Sequence, residues 1–519
     1  MSRRPKGALG ALVARHPIAS ALVAGALVRL LCACIGVGFH ARDDYFHVLE
    51  PALHWLRDPT FDWQHSDVSG AGYRSHLLPR LVWLALTALT GLGVTEPETQ
   101  LRGLYALCGL YSLLTLPGMA RLAGDAFGAR AGVLAAWLGA LFFAMPYAGT
   151  HLLIEAMAMP PLVWGLALVP SRAWGQRVAA GMLLGLACWW RLQVASAVVG
   201  LGALLLWRLR EPSRRAETLS TGAALALGGV ACFLVQGGFD AWTTGFFFGP
   251  LLENLRINLN PDPGLSRSGP LAFLGLWLAL TVPPTTLWLA PGLWRAARQA
   301  PHVAWPFAAF VAIHLAVPHK EDRFMLPVLP LFLVGGAAAV GWLEAGEVAG
   351  PPWLRRTWPR ARAYAATVLA VALALVVTNQ SQANNRDVMR SLRADAGVRG
   401  IVSVGPELQA YFLGRPEVPT WEAKHVDEAW LRAVLDEARA RGVVPNRVVA
   451  FARDRDAVEI ALALEGFTCD PPQPVPGWWL DRLIYATNPR RNLRRSALLL
   501  YRCEQPALAH SGQTISGAG

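Results

Sequence analysis

The chain has 519 residues, of which 54% are hydrophobic and only 16% are charged. Soluble proteins carry about a quarter of charged residues, so this composition excludes an ordinary soluble enzyme and indicates a polytopic α-helical membrane protein. The formal net charge of +12 does not predict a nucleic-acid partner, because the basic residues of membrane proteins collect in cytoplasmic loops.

Only three of the 47 basic residues are lysines, a bias that is typical of a bacterial genome rich in G and C. The first apolar run is not followed by a convincing cleavage site, so we expect it to be retained as a membrane anchor. We therefore predict a multi-pass protein of the inner (plasma) membrane.

Twelve apolar runs follow one another along the chain. They cover residues 18–38, 77–94, 101–119, 130–146, 156–170, 178–190, 194–207, 221–238, 271–290, 304–317, 324–342 and 363–379. The basic residues between them form six clusters, at Arg3/Arg4/Lys6/Arg15, Arg121/Arg130, Arg172/Arg177, Arg208/Arg210/Arg214/Arg215, Arg295/Arg298 and Arg355/Arg356/Arg360/Arg362.

All of these clusters can face the cytoplasm only if the run at 77–94 lies along the membrane surface instead of crossing it. This arrangement predicts about eleven transmembrane helices, with the N-terminus in the cytoplasm. It also predicts a long first external loop, roughly residues 40–100, that contains juxtamembrane helices.

The pattern changes after Thr378. Ile401–Val404 and Arg447–Phe451 read as strands, and the amphipathic stretch from Val426 to Arg441 between them reads as a helix, with a second helix at Ala457–Glu465. We predict a small extracytoplasmic α/β domain with a binding or stabilising role. The predicted parts are a transmembrane domain at 1–379, this domain at 380–506 and a polar tail at 507–519. Cys469 and Cys503 could pair in that compartment.

The first external loop opens with an unusually polar stretch, residues 40–50. If it is helical, Asp43, His47 and Glu50 share one face. Pro51 predicts that such a helix ends or kinks near Glu50. The stretch is explained equally well as a solvated loop that caps a helix end and as part of a functional site.

Further polar groups fall on the same predicted outer side, which predicts one extracytoplasmic polar site. They are Tyr73-Arg74-Ser75, Glu155, Arg191 with Gln193, Asp240 and the run from His319 to Arg323. Several have plain structural explanations that stay open: Glu155 as a helix cap, Arg191 as an interfacial anchor, and Glu321 as a local ion-pair partner of its basic neighbours.

Three of these elements resemble, in order, the motifs of glycosyltransferase family 22, the membrane α-mannosyltransferases of the GT-C superfamily that build GPI anchors and lipid-linked oligosaccharides. The matching residues are Asp43, Phe46 and Glu50, then Arg74, Ser75 and Pro79, then His319, Lys320, Glu321, Arg323, Phe324 and Pro327. In the first motif, Ala41-Arg42 replace the family's His-Pro, Asp44 replaces Glu and His47 replaces Gln. The resemblance covers roughly residues 18–345.

The resemblance implies inverting transfer of a sugar, with mannose expected, from a polyprenyl-phosphate donor to a hydroxyl of a glycan, lipid or protein acceptor on the extracytoplasmic side. Such chemistry needs a base for the hydroxyl, for which Asp43 is the first candidate and Asp44 the second. It also needs cations for the departing phosphate, and the candidates are Arg74, His319, Lys320 and Arg323. Further substrate-site candidates are His47, Glu50, Tyr73, Glu155, Arg191, Gln193, Asp240 and Glu321.

We expect no cofactor and no obligatory metal, because a leaving group with a single phosphate can be stabilised by nearby cations. The alternative function is a membrane transporter or lipid flippase with an extracytoplasmic binding domain. That alternative calls for ionisable residues and broken helices near the middle of the membrane. Here the charges cluster at the ends of the apolar runs and no inverted repeat is visible, which favours the enzyme.

Overall fold

A computed structural model describes residues 13–36, 38–39, 41–66, 68, 70–260, 268–347, 351–423, 428–490 and 492–504. The chain separates into two compact units, one formed by residues 1–94 and 100–379 and the other by residues 95–99 and 380–519. His40, the basic residues before Arg15 and the predicted tail at 507–519 lie outside the described residues.

The apolar part of the chain is helical, as backbone amides in lipid require. Its helices are α1 (Pro17–Ile35), α2 (Glu50–Arg57), α3 (Leu77–Gly91), α4 (Pro97–Leu113), α5 (Thr115–Phe127), α6 (Ala129–Leu141), α7 (Ala144–Thr150), α8 (Met159–Leu168), α9 (Trp174–Trp190), α10 (Ala195–Arg208), α11 (Arg215–Thr244), α12 (Gly249–Leu259), α13 (Ala272–Leu280), α14 (Thr286–Gln299), α15 (Pro301–Ala316), α16 (Leu329–Ala345) and α17 (Pro352–Val377). Short helical turns lie at Arg42–Asp44, Tyr45–Leu49, Ile154–Met157, Leu192–Val194, Pro212–Arg214 and Asp322–Val328.

Fewer helices have the length of a full membrane span than the sequence predicts. In the described residues, five are long and apolar enough to cross a membrane, and the pair α6 and α7, bent by 57°, makes a sixth if it is one span. Four more apolar helices are shorter. The count of about eleven spans therefore stays a prediction. Helix α3 has 15 residues and is about 22 Å long, shorter than the hydrocarbon core of a bilayer, which agrees with a juxtamembrane role.

The predicted span at 271–290 is not a continuous helix. This apolar run contains the whole of α13 and the first residues of α14, with a break at residues 281–285. The break contains Pro283 and Pro284, which have no amide hydrogen to donate within a helix. Hydropathy does not detect this interruption, because proline in an apolar run barely lowers its mean.

The second unit contains a mixed sheet with helices around it. Its strands are β1 (Ile401–Val404), β2 (Thr420–Ala423), β3 (Arg447–Phe451), β4 (Thr468–Cys469), β5 (Gln473–Val475) and β6 (Leu498–Glu504), and its helices are α18 (Ala383–Ala394), α19 (Glu428–Ala440), α20 (Arg455–Leu464) and α21 (Trp479–Thr487). The strand order is β2-β1-β3-β6-β4, with β5 also paired to β6. Strand β1 is parallel to β2 and β3, while β6 is antiparallel to β3.

The predicted strands at 401–404 and 447–451 are confirmed to the residue. Every residue of both strands is buried. Leu431 and Leu435 of α19 pack into the core of this unit, as their helical spacing predicts. Cys469 and Cys503 lie opposite each other in the β4–β6 pair and are joined by a disulfide.

Candidate active site

The polar stretch of the first loop is helical, but it is not one regular α-helix. The turn Arg42–Asp44 passes into a π-helical turn at Tyr45–Leu49, and α2 follows at once. Pro51 stands in the first turn of α2, where a missing amide hydrogen costs little. The helical segment therefore continues past Glu50. The π-helical turn at Tyr45–Leu49, which is wider than an α-helical turn, accommodates the proline. Asp43 and His47 lie close together, whereas the π-helical turn departs from the α-helical spacing on which a shared face with Glu50 depends.

Asp43 is the point at which distant segments meet. Its Oδ2 accepts hydrogen bonds from Arg74 Nη2 at 2.8 Å and from Arg323 Nη2 at 3.0 Å. Its Oδ1 lies 3.4 Å from His47 Nδ1. The first loop, the Tyr73-Arg74-Ser75 segment and the late His319–Arg323 run therefore meet at one carboxylate.

Two further carboxylates complete the arrangement. Glu321 accepts a hydrogen bond from Arg323 Nε at 2.7 Å. Glu155, which is almost fully buried, has its Oε1 3.2 Å from Arg191 Nη2 and 3.9 Å from Arg323 Nε. Arg323 thus contacts Asp43, Glu155 and Glu321. We call the set Asp43, Arg74, Glu155, Arg191, Glu321 and Arg323 the ionic cluster; its formal charges balance.

The electrostatics of the ionic cluster keep Asp43 and Glu321 ionised. Burial alone would raise the pKa of Asp43, but the His47 contact and the charges of Arg74 and Arg323 outweigh it, so the pKa lies far below its usual value. Burial likewise opposes ionisation of Glu321, yet Arg323 lowers its pKa. Burial lowers the pKa of His47 despite the neighbouring Asp43, so its imidazole is neutral at pH 7.

Other predicted residues lie outside this cluster. Asp44 is buried, and its Oδ2 accepts a hydrogen bond from the Ala41 amide at 3.2 Å, which is a capping role. Glu50 is half-buried at the start of α2. His319 Nε2 lies 3.0 Å from Glu321 Oε1 at the rim of the cluster. The Lys320 ammonium contacts the Val317 carbonyl oxygen instead of an acidic group of the cluster.

A small cleft with a cavity volume of about 60 Å³ adjoins Arg74 and Arg191, and we call it the polar cavity. Its polar and aromatic lining includes Tyr73, Ser75, Trp189, Trp190, Gln193, Gln236 and Asn254. The buried Arg74 Nε has no hydrogen-bond partner among the described residues, so it retains a donor beside the cavity. The cavity therefore offers aromatic faces and hydrogen-bonding groups beside two guanidinium groups.

Gln236 and Asn254 in this lining are not among the residues predicted from the sequence. The signal for Gln236 was available, because it is a lone amide within the apolar run at 221–238. Asn254, whose Nδ2 donates to the Tyr73 carbonyl oxygen at 3.3 Å, carries no comparable signal in the sequence. Asp240 lies one turn beyond Gln236 on α11 and is fully buried outside the ionic cluster.

A second opening, which we call the apolar groove, reaches the ionic cluster at Arg323. Its lining is almost wholly hydrophobic and comprises Phe143, Ala144, Tyr147, Leu153, Leu276, Trp277, Leu280, Asp322, Arg323, Met325, Leu326, Leu329 and Val376. Its cavity volume is about 230 Å³. The groove therefore has a hydrophobic lining that ends at a guanidinium group.

Two further histidines of the first loop pack against aromatic rings. His76 lies against Trp55 and Trp63, and His54 stacks on Phe61 at 4.5 Å between ring centroids. Within the described ranges, no group of three or more His, Cys, Asp or Glu side chains is placed to hold a metal ion. The expectation of no obligatory metal stays a prediction.

Comparisons with known proteins agree on the class of molecule. Residues 21–398 match the model of the Alg9-like mannosyltransferase family. GPI mannosyltransferase 3 of Eremothecium gossypii is 33% identical over 85 residues, a match that spans 16% of this chain and only 14% of that protein.

The fold is similar to that of a protein of known structure, ArnT. The crystal structure of ArnT from Cupriavidus metallidurans bound to undecaprenyl phosphate gives a TM-score of 0.58 at 14% identity, covering 93% of this chain and 97% of that one. Its apo state gives a TM-score of 0.54 with the same coverage. At this level of identity the similarity shows the fold alone.

Proposed function

Because the chain belongs to the Alg9-like mannosyltransferase family, we propose that it is a multi-pass membrane glycosyltransferase that moves mannose from a polyprenyl-phosphate donor to a hydroxyl of a glycan, lipid or protein acceptor, with inversion at the anomeric carbon. The observation that carries this proposal is the meeting of Asp43 with Arg74 and Arg323, beside a polar cavity on one side and an apolar groove on the other.

Asp43 is the proposed general base. A sugar hydroxyl is a poor nucleophile, and a carboxylate that takes its proton as the new bond forms lowers the barrier. Both arginines bind Oδ2, so we assign proton acceptance to Oδ1. When the donor phosphate binds the same two guanidinium groups, their positive charge is shared between two anions. The pKa of Asp43 therefore rises only once the donor is bound.

Arg74 and Arg323 are the proposed phosphate ligands. The leaving phosphate gains negative charge in the transition state, and fixed cations at a partly dry site stabilise it there. Arg74 Nε has no partner among the described residues and is available to a phosphate oxygen. His319 and Lys320, at the rim, are proposed to assist. ArnT, which has a similar fold, is known with undecaprenyl phosphate bound, which supports a lipid-linked donor.

The two openings suit the two substrates of this reaction, the lipid-linked donor and the acceptor. We assign the lipid tail of the donor to the apolar groove, because its lining is hydrophobic and it ends at Arg323. We assign the sugar-bearing acceptor to the polar cavity, where Tyr73, Trp190 and Gln193 offer aromatic faces and an amide. Family membership favours this enzyme over the transporter alternative.

We further propose that the chain lies in the inner membrane with its N-terminus in the cytoplasm and its second unit outside. The basic clusters support this orientation through the positive-inside rule. The disulfide between Cys469 and Cys503 supports it independently, because disulfides persist in oxidising compartments.

The function is tested with the purified protein in lipid nanodiscs. We expect transfer of labelled mannose from polyprenyl-phosphate-mannose to synthetic alkyl α-mannosides, and no transfer from GDP-mannose, since the proposed site has an apolar groove for a lipid tail. Polyprenyl-phosphate glucose and a polyprenyl-phosphate pentose serve as alternative donors. If no sugar is transferred from any of these lipid-linked donors, the proposed enzymatic function is wrong.

The pH profile tests the state of Asp43. Its folded pKa lies far below the unfolded value, so the ionised form and the stability it contributes persist above pH about 4 and are lost only as pH falls through the folded pKa. We therefore expect no decline in kcat/KM between pH 8 and pH 5 that is due to Asp43. In Arg74→Gln, loss of one positive charge raises this pKa and moves the acid limb upward.

Arg80→Gln is the matched control for the pH profile, because Arg80 stacks on Trp55 at 3.7 Å and contacts no member of the ionic cluster among the described residues. We expect its acid limb to coincide with that of the wild type. The opposite result would be a fall in the kcat/KM of the wild type near pH 6 that moves to another pH in Asp43→Glu. It would show that Asp43 is not held ionised as described.

A further inference from the structure

Helix α21 of the second unit turns an apolar face to the outside of the chain. Trp479 and Leu483 stand four residues apart, on the same face of the helix, and are 51% and 55% exposed. The ring of Trp478 lies beside that of Trp479, with 5.7 Å between centroids. Large apolar side chains exposed together on one helix face indicate a surface that contacts a protein or a membrane.

The opposite face of α21 is tied to the start of the second unit. Asp481 is buried, and its Oδ2 accepts a hydrogen bond from the Gln382 amide at 2.7 Å. Asp481 also pairs with Arg495, whose Nη1 donates to Ser381 Oγ at 3.0 Å. The helix is therefore held against residues 381–382 by a buried carboxylate with several partners.

Those residues follow a membrane span closely. Helix α17, one of the five candidate spans, ends at Val377, five residues before Gln382. Five residues reach at most about 18 Å when extended. The Thr378 and Asn379 amides donate to carbonyl groups of the last turn of α17, at 3.2 and 3.1 Å, so the chain here is more compact than that. The tie from Gln382 to Asp481 thus keeps α21 within a short reach of the point where the chain leaves the bilayer.

The charges near the exposed face suit a membrane surface. Between residues 476 and 490 the charged residues are Asp481, Arg482 and Arg490. Asp481 is buried and paired, whereas both arginines are exposed, so the exposed charges of this stretch are basic. Anionic headgroups attract basic side chains, and tryptophan is enriched at the boundary between headgroups and acyl chains.

We propose that α21 is an interfacial helix that lies in the headgroup layer of the membrane, with Trp479 and Leu483 inserted toward the acyl chains. Its partner is the lipid surface, which Arg482 and Arg490 contact through phosphate groups. This helix then gives the second unit an attachment to the bilayer besides the covalent link to α17. The inference does not depend on the proposed enzymatic function.

Helix α20 supplies a matched comparison within the same unit. Ile460 and Leu464 also stand four residues apart and are both 62% exposed. The exposed side chain of Asp456 lies on this helix, and none of the hydrogen bonds described for α20 ties it to residues 380–382. Exposure of an apolar pair is therefore the same in α20 and α21, while the tie to the end of the span and the basic surroundings belong to α21.

The test uses the full chain in nanodiscs of phosphatidylglycerol and phosphatidylcholine. The photo-reactive residue p-benzoylphenylalanine replaces Trp479, Leu483, Ile460 or Leu464 in turn, and lipid adducts are measured by mass spectrometry after irradiation. All four side chains are exposed, so the fold should tolerate the change, and an intact Cys469–Cys503 disulfide on non-reducing gels verifies it.

We expect at least about tenfold more lipid adduct at positions 479 and 483 than at 460 and 464. Equal yields at the four positions would overturn the proposal. So would adducts at 479 and 483 to a second protein copy without lipid adducts, because the face would then be a protein interface.

Discussion

Replacing Asp43 by asparagine is expected to lower kcat/KM for sugar transfer by about 10³-fold. The amide has almost the same shape as the carboxylate but cannot accept the proton of the attacking hydroxyl. The substitution also removes the anion that Arg74 and Arg323 share. Those guanidinium groups are then free to bind a phosphate, so we expect the Kd of Asp43→Asn for undecaprenyl phosphate to equal or fall below that of the wild type.

A large loss of kcat/KM without weaker phosphate binding distinguishes a base from a structural ion-pair partner. If Asp43 served only to hold the arginines, both catalysis and phosphate binding would weaken together. Asp44→Asn is the matched control, since Asp44 is adjacent and buried but caps the Ala41 amide. We expect it to retain activity within about tenfold of the wild type. Activity of Asp43→Asn within that same range would remove Asp43 as the base, and a reversed order of the two variants would transfer the role to Asp44.

The meeting of the first loop with the late His319–Arg323 run illustrates what a sequence can predict about a site. Positive-inside counting placed both on one side of the membrane before any contact was known. It did not indicate which charged groups would pair. The open alternative that Glu321 pairs locally is correct for its bond to Arg323, yet the same guanidinium also reaches Asp43, about 280 residues away in sequence.

Glu155 shows the opposite limit. At the sequence level a helix cap and a site residue were equally good explanations, because a single glutamate at the end of an apolar run carries no information on partners. Its burial beside Arg191 and Arg323 is created by the packing of elements that are distant in the chain. Gln236 and Asn254 enter the polar cavity for the same reason.

The fold was predictable where local pattern decides it. Strands β1 and β3 are short, apolar and bounded by turn residues, and they begin and end where the pattern does. The break between α13 and α14 and the π-helical turn at Tyr45–Leu49 depend on how prolines are accommodated, which hydropathy does not register. The number of spans is underdetermined for a related reason, since short and bent apolar helices read like full spans in a hydropathy profile.

Replacing Arg323 by lysine is expected to lower kcat/KM by about 100-fold or more, although the charge is kept. The planar guanidinium of Arg323 donates from Nη2 to Asp43 and from Nε to Glu321, and its Nε lies 3.9 Å from Glu155. A lysine ammonium is a single compact charge and cannot bridge these carboxylates in the same geometry. The base and the phosphate ligand then lose their common orientation, which affects the transition state more than substrate binding.

Arg74→Lys is the matched comparison, because Arg74 reaches Asp43 through Nη2 alone. One ammonium can replace the Nη2 contact to Asp43 and keep the positive charge near the phosphate, losing only the proposed Nε contact, so we expect a loss of about tenfold. Measuring kcat and KM separately, with the melting temperature of each variant, distinguishes misorientation from unfolding. A fall confined mainly to kcat at unchanged Tm supports the bridging role of Arg323. A larger loss in Arg74→Lys than in Arg323→Lys would contradict it, since the carboxylates would then depend on Arg74 for their arrangement.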